Sequence, residues 1–550
     1  VVLRAGAHQP VLIADDGAAG VVAVTYFEPG WYGPTNDLRF FHVLEQGRMD
    51  PSLPAAGVPF ISSADLPSEA GVSAVRVVSD GAGGAYVLFF ACGQYLAHLT
   101  CNGVGEVRLM HVTGQGTTAP GWPAAGLPLV GGIGDFPLDH VDIVSDGASG
   151  VIAAWIDAAD PNSAAPLIRA QRFAPDGSTQ WPGGGSGLVV LDAQTMRVSL
   201  RLGSDHAGGC TIVTSEEISG KFEQYMLRAG RVDASGGLPW TTAGRLVITQ
   251  PTYTTVAMSV SIDAQGRSFI IAYLHDPPNT VQDCYTQLLS PQGTRLWGQF
   301  GVFVGQTTNR VFLPTGLVTP SGYLSVHGDV GGAYRLQLQD ENGFSGWDPL
   351  DYGLAADWTL PSAPQLPLAA PDGHVLSVWK SQGAVATWDV RAMELDESGN
   401  IVPGWPVDGV HVCGSQPYHD LADAIVSRGQ LFVALAGPGL PEGPKIQRLS
   451  RAVLSVPADL PASPLELAPP VPNPARGAWL VRLALRSDAA VSLEAFDVAG
   501  RRALAAGLGP LTAGRHVLEV PGGASLAPGV YRVRARAGAH TAERTLVKVR

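Results

Sequence analysis

Two offset patterns of polar and apolar positions run through most of this chain. In the first, a polar turn leads to a tryptophan about every 58 residues and then to a short apolar run. The tryptophans stand in Gly121-Trp122-Pro123, Gln180-Trp181-Pro182, Pro239-Trp240, Leu296-Trp297-Gly298, Gly346-Trp347 and Gly404-Trp405-Pro406. The turns before them include Pro175-Asp176-Gly177, Asp233-Ala234-Ser235-Gly236, Gln292-Gly293, Glu341-Asn342-Gly343 and Asp396-Glu397-Ser398-Gly399. These are hairpin signals, because Gly and Asn accept the positive φ that tight turns need. Leu53 fills the tryptophan slot of the first module: Leu53-Pro54-Ala55-Ala56-Gly57-Val58-Pro59 parallels Trp122-Pro123-Ala124-Ala125-Gly126-Leu127-Pro128.

The second pattern lies about half a module away. It reads Asp16-Gly17, Asp80-Gly81, Asp146-Gly147, Asp205-His206, Asp263-Ala264-Gln265-Gly266, Ser321-Gly322, Asp372-Gly373 and Arg428-Gly429, each followed by a run that alternates like a strand. Four antiparallel strands per module of this length describe a blade of a β-propeller. The first-hairpin signal occurs eight times and the tryptophan-type half seven times, while Val1 to Arg4 look like the closing strand of a blade. The reading is an all-β, eight-bladed propeller over residues 1–455, closed by the N-terminal strand, with seven blades as the alternative.

Prolines at 457, 461, 464, 469, 470, 472 and 474 predict an extended linker over residues 456–472. Beyond it, Trp479 to Leu485, Val491 to Phe496, His516 to Val520, Val530 to Ala535 and Arg544 to Val549 predict the strands of a small Ig-like β-sandwich over residues 473–550. The ordered motifs Pro472-Asn473-Pro474, Asp497-Val498-Ala499-Gly500-Arg501, Leu511-Thr512-Ala513-Gly514-Arg515-His516, Pro528-Gly529-Val530-Tyr531 and Leu546-Val547-Lys548-Val549-Arg550 resemble the type A C-terminal sorting domain of type IX secretion substrates. That family's Ig-like module is related to the flagellar hook-capping protein. The resemblance implies export and display at the cell surface or release. It implies that Asn473, Pro474, Asp497, Gly500, Arg501, Gly514, His516, Gly529, Tyr531, Lys548 and Arg550 carry the sorting motif, with secretion or attachment machinery as partner. The preceding modules are similar to bacterial surface propellers, a resemblance that implies fold and no single activity.

Composition narrows the choice. The chain is 45% hydrophobic, which is too apolar for disorder. Its net charge of −13 is unevenly spread: residues 466–550 hold 12 Lys/Arg against 6 Asp/Glu, a net +6, and the remainder 23 against 42, a net −19. An acidic body argues against nucleic acid and anionic membranes as partners. No apolar run is long enough to span a bilayer, and no charged-then-apolar leader opens the sequence at Val1. The five cysteines, Cys92, Cys101, Cys210, Cys284 and Cys413, contain no CxxC, and buried free thiols are expected. A tight Gly93-Gln94 turn would set Cys101 opposite Tyr86.

Candidate chemistry is sparse. Metalloprotease, nucleophile-elbow, P-loop, EF-hand and dinucleotide motifs are absent. No motif indicates a cofactor or a metal site, calcium included. Pro175 to Trp181 resembles the Asp-box turn of sialidase-like propellers, itself a hairpin stabiliser. Variable loops on a repeated scaffold are where binding is built. They hold Glu28, Trp31, Tyr32, Asp157, Asp160, Glu216, Glu217, His275 and Asp276, aromatics for stacking and carboxylates for hydroxyls or cations. Tyr418-His419-Asp420 and Leu138-Asp139-His140 fall near blade starts, where they would face a central channel. The expected function is extracellular, non-catalytic binding or adhesion to a glycan or protein. The alternatives are a structural subunit that assembles head-to-tail and a polysaccharide-active enzyme with carboxylates at the channel mouth.

Overall fold

The computed structural model describes residues 2–3, 11–26, 37–66, 71–92, 95–96, 100–101, 105–133, 140–157, 166–192, 197–218, 225–249, 254–275, 282–307, 315–328, 334–344, 366–370, 372–382, 388–397, 399–406, 409–412, 420–436, 444–450, 464–468, 470, 473–485, 489–511 and 514–549. Two compact units emerge. One comprises Val1–Asn400 with His411–Arg451, the other Ile401–Val410 with Ala452–Arg550.

The first unit is a β-propeller-type fold built from successive antiparallel sheets. The third module shows the plan: Val141–Ser145, Val151–Asp157, Leu167–Phe173 and Leu188–Leu191 pair in chain order. Among the described residues, five modules have this four-strand order and the second has it too, through Gly71–Ser79, Ala85–Cys92, Gly105–Val112 and Leu127–Ile133. The sixth and eighth sheets have three described strands. In the eighth, Val2 bridges antiparallel to Lys445 and the Leu3 amide donates to the Pro444 carbonyl at 2.8 Å. Among the described residues, the first strands of successive sheets neighbour one another in chain order, and Asp420–Ser427 lies beside Val11–Asp15 of the first.

Second strands are buried on both faces. All of Ala85–Cys92 is buried, as is nearly all of Val151–Asp157 and Cys210–Glu217. Each sheet is packed between two neighbours, so these strands are near-continuous apolar runs and not simple alternations. That burial also explains the free thiols of Cys210 and Cys284, which behave as small core residues. Burial pushes the Cys284 thiol up to about 12 and raises Cys210 as well.

Cys92 departs from the free-thiol expectation, because it is disulfide-bonded. Cys101 is not opposite Tyr86, whose ladder partner is His111. The connection from Cys92 to Gly105 is no tight turn; it contains a short hairpin in which Tyr95 pairs with Cys101 and Leu96 with Thr100.

In the second unit, Leu465–Leu467, Leu480–Leu485 and Gly514–Glu519 form one sheet. Arg502–Leu511, Ala489–Asp497, Gly529–Ala537 and His540–Lys548 form the other. Trp479, Leu483, Leu493, Val533 and Leu546 share its core. Leu465–Leu467 falls in the stretch whose proline density predicts an extended linker. It pairs with Leu483 to Leu485 because Leu465 and Leu467 alternate into that core around exposed Glu466.

Candidate functional site

At the hairpin end of the first unit, each early module carries the same polar brace. Asp80 closes its turn by accepting the amides of Ala82 and Gly84 on Oδ1, at 2.7 and 2.8 Å. Its Oδ2 faces His111 Nε2 at 3.0 Å, two strands away. Asp16 repeats this with Ala18, Gly20 and His42, and Asp146 and Asp205 repeat it with Arg172 and Arg231. Burial works to raise the Asp80 carboxyl. The His111 hydrogen bond and the two turn amides outweigh it and hold the group below the usual carboxylate range. Asp16 is lowered by the same balance, and Asp263 by Tyr323 and Arg267.

The brace explains a glycine. A Cβ on Gly84 would lie 2.4 Å from Asp80 Oδ2 and 2.3 Å from the Val112 carbonyl oxygen, and Gly20, Gly150 and Gly209 are equally confined.

The seventh module inverts the arrangement. Ala370 stands where the first five modules have Asp, His374 stands at the glycine position, and Glu394 occupies the ladder position of His42, His111, Arg172 and Arg231. His374 Nδ1 lies 2.6 Å from Glu394 Oε1. In the fifth module Arg267 holds the same position as His374 and bonds Asp263 Oδ2, so there and here the residue at the glycine position itself supplies the basic partner; in the seventh module its carboxylate comes from the third strand. Among the described residues, Asp372, His374 and Glu394 also have ligand-type atoms within 4.8 Å of one another. The His374–Glu394 contact makes this group the counterpart of the braces in the other modules.

Toward the opposite end, a second series ties the third strand to the loop after the tryptophan slot. Arg39, Arg108, Arg169 and Arg228 donate to the carbonyls of Ala56, Ala125, Gly187 and Ala243. Each is also paired with a carboxylate: Asp37, Glu106, Asp157 and Glu216. Two predicted ligand-binding carboxylates are therefore engaged within the sheet, Glu216 buried and Asp157 part-exposed. Asp157 Oδ2 lies 2.5 Å from Arg169 Nε, and the buried Glu216 holds Arg228 Nε at the same distance.

The remaining candidates are not brought together by the described residues. Glu217 ends its strand opposite Tyr225, and the His275 backbone pairs with Thr254. Glu28, Trp31, Tyr32, Asp160 and Asp276 lie outside the described residues, as do Arg550, Tyr418, His419, Leu138 and Asp139. Asp420 opens the first strand of its module opposite Ala436, and His140 precedes Val141–Ser145.

Sequence reasoning missed a third set, on the first strands. Asp142 accepts the Leu202 amide of the next module on Oδ2 and faces Arg76 Nε of the preceding one at 3.2 Å. Asp423 likewise accepts the Ile13 amide at 2.9 Å, joining the eighth module to the first. Burial pushes its carboxyl up to about 6, although the Ile13 and Ala424 amides and nearby Arg76 pull it down. A polar residue inside an apolar first strand was the signal available.

The tryptophans complete the framework. The indole N–H groups of Trp122, Trp181, Trp240 and Trp297 donate to the carbonyls of Pro175, Ala234, Pro291 and Glu341, each in the next module's second hairpin. The Asp-box-like turn fits this role, for Asp176 Oδ1 accepts from the amide and hydroxyl of Ser178.

In the second unit, the residues of the sorting-type motif hold local structure. Asn473 Nδ2 donates to the Thr545 carbonyl and its Oδ1 accepts the Val547 amide, with a cis bond to Pro474. Asp497 caps the hairpin through the amides of Ala499 and Arg501, Gly500 has φ of 77°, and the Tyr531 hydroxyl donates to Ala527. Buried Lys548 donates from Nζ to the Gly477 carbonyl. Gly514 and Gly529 open strands, and His516 pairs with Leu483.

No family model and no curated protein matches the chain. Among solved structures it is similar to a polysaccharide lyase, the PL25-Ulvanlyase, at 10% identity over 82% of this chain and 99% of that one, with a TM-score of 0.39. It is similar to the BP39L lectin from Burkholderia pseudomallei at 10% identity, 74% and 100% coverage and a TM-score of 0.36. The β-propeller domain of the Trilobed protease from Pyrococcus furiosus matches at 7% identity, 72% and 93% coverage and a TM-score of 0.30. At such values no residue of a site carries across. No helix among the described residues is long and apolar enough to cross a membrane.

Proposed function

We propose that the chain is a secreted or cell-surface, non-catalytic binding protein. Its first unit is an eight-bladed β-propeller closed by the N-terminal strand, and its loop-bearing end engages a glycan or protein ligand. Its last 80 or so residues are an Ig-like module used for export or attachment.

The observation that carries this reading is the fate of the carboxylates. Asp157 and Glu216 are each held by an arginine that also fastens a loop carbonyl, so both serve the scaffold. Asp142 and Asp423 have backbone amides of the next module on their oxygens and tie first strands together. General acid–base chemistry needs a carboxyl aimed at substrate, and each of these four has at least one oxygen engaged by protein. A framework braced in this way suits the display of variable loops.

Further support comes from closure and from cysteine chemistry. Eight first strands in cyclic order, with Val2 against Lys445, favour eight blades and remove the exposed edge that an open seam would leave. The Cys92 disulfide favours an oxidising compartment outside the cytosol. The hydrogen bonds of Asn473, Asp497 and Lys548 give the sorting-type motif a fold-supporting basis.

The test is retention of the full chain on a glycan array, compared with a Trp31→Ala/Tyr32→Ala variant. Binding that falls at least tenfold in the variant supports these anchors. Equal binding by both rejects them.

A further inference from the structure

The large apolar side chains that are exposed among the described residues fall in two places. Leu296, Phe300, Phe303 and Phe344 lie on the fifth and sixth modules; Leu480, Val498 and Val530 lie in the C-terminal unit. Scattered exposed apolar residues need no explanation, but grouped ones mark interaction surfaces.

Of the C-terminal group, Val498 and Val530 belong to the four-stranded sheet and its hairpin, while Leu480 lies on the other sheet. Along Gly529–Ala537, Tyr531, Val533, Ala535 and Ala537 point into the core, so Val530, Arg532, Arg534 and Arg536 point outward. Phe496 is flanked in register by Arg502 and Arg532, and Val530 opposes Val547. Val498 lies in the turn directly after Asp497, the ladder partner of Tyr531, and is 88% exposed; Val530 is 46% exposed. Arg534 is held over the Phe496 ring at 5.0 Å and bonded to Glu543 at 2.6 Å, so the face is ordered before any partner arrives. The result is an apolar patch rimmed by arginines, the residue enriched at interface anchors.

The other group carries the opposite charge. Phe344 is 72% exposed and follows a turn whose exposed Asp340 and Glu341 flank it. Asp340 caps that turn through the amides of Asn342 and Phe344. The turn packs against the fifth module, since Trp297 donates to the Glu341 carbonyl and a Cβ on Gly343 would meet Val302 and Trp297. Leu296, Phe300 and Phe303 belong to that same module, Phe303 packing edge-on against Tyr285. The sign difference extends to the whole chain, with +6 over residues 466–550 and −19 over the rest.

We propose that the arginine-rimmed Val498/Val530 face of one molecule docks on the acidic, Phe344-bearing surface of a second copy. The two patches differ, so the contact is heterologous and propagates head-to-tail. Apolar contact supplies affinity, and complementary charge supplies rate and register. This inference is independent of the ligand-binding reading above.

The test is sedimentation of the full chain from low micromolar to several hundred micromolar concentration, at low and high salt. The wild type associates with concentration, and association weakens several-fold in high salt, where charge pairs are screened. A Phe344→Asp variant and a Val498→Asp/Val530→Asp variant each remain monomeric alone, with unchanged thermal midpoints because the replaced side chains are exposed. Mixed together they form a one-to-one complex, since each retains one intact patch. A wild type that stays monomeric throughout overturns the proposal. So does a mixture that never pairs, or a wild type that binds heparin through Arg532, Arg534 and Arg536 without self-association.

Discussion

The indole N–H of Trp122 donates to the carbonyl oxygen of Pro175 at 2.9 Å, joining the second module to the third. The same carbonyl faces His111 Nδ1, also at 2.9 Å, while His111 Nε2 faces Asp80. One oxygen thus gathers the tryptophan pattern and the aspartate-turn pattern, which look independent in the sequence. Tyr86 stacks on His111 at 4.3 Å and donates to the Ser149 carbonyl, a second tie to the third module.

Removing a single indole donor therefore loosens a module boundary. Trp240→Phe keeps most of the buried ring but leaves the Pro291 carbonyl without its 2.8 Å donor. The expected cost is about 1 kcal/mol, against about 3–5 kcal/mol for Trp240→Ala, which also opens a cavity. Urea unfolding of both variants checks the ratio; a Trp240→Phe variant as stable as the wild type would show that the hydrogen bond contributes nothing.

The braces predict acid sensitivity with a definite sign. Asp16, Asp80 and Asp263 are held below the ordinary carboxylate value in the folded chain, so the unfolded chain takes up protons first as pH falls. Their contribution is complete above that value and is lost as pH drops through their lowered folded values. Asp423 runs the other way: raised to about 6, it favours the folded state most below its unfolded value and loses that contribution as pH rises through 6. Thermal midpoints from pH 7 to pH 3 should fall less steeply for Asp80→Asn than for the wild type. Parallel curves would remove Asp80 from the account.

The inverted seventh module makes a stronger demand, because three residues changed together. Gly84→His alone places a side chain on Asp80 Oδ2 and the Val112 carbonyl and should cost at least about 2 kcal/mol. Adding Asp80→Ala and His111→Glu reproduces Ala370, His374 and Glu394, and should recover half or more of that loss. A triple variant worse than the single one would mean that the pair in the seventh module has a different purpose.

The Cys92 disulfide should be worth about 2–4 kcal/mol. Thiol titration of the denatured, unreduced chain should find fewer than five reactive groups, and reductant should lower the midpoint. Five reactive thiols would contradict it.

The fold was legible wherever spacing alone determines it. Gly17, Gly81 and Gly147 have the positive φ that their Asp-Gly turns predict, and Trp122 through Trp297 recur at one structural position. The site was less legible because charge in this chain looks the same whether it binds a ligand or a neighbouring strand. Asp157 and Glu216 sit at strand ends beside variable loops, as ligand-binding residues do, yet their arginines lie on the next strand of the same sheet. The signal was present as Arg39-Phe40-Phe41-His42, Arg108-Leu109-Met110-His111, Arg169-Ala170-Gln171-Arg172 and Arg228-Ala229-Gly230-Arg231. In each of these the first basic residue serves the loop end and the last position serves the hairpin end. The expectation that Cys101 stands opposite Tyr86 fails for a similar reason, since spacing could not reveal the small hairpin inserted before Gly105.

The central claim is that the carboxylates at the loop end belong to the scaffold. The most direct measurement is the unfolding free energy of Glu216→Gln in urea. A group evolved to act on a ligand is commonly neutral or costly to stability, whereas half of a buried ion pair is not. The account predicts a loss of about 1.5–3 kcal/mol, as Arg228, which also donates to the Ala243 carbonyl, loses the carboxylate that positions it. Stability that stays level or rises would contradict it and return Glu216 to the list of ligand-binding residues.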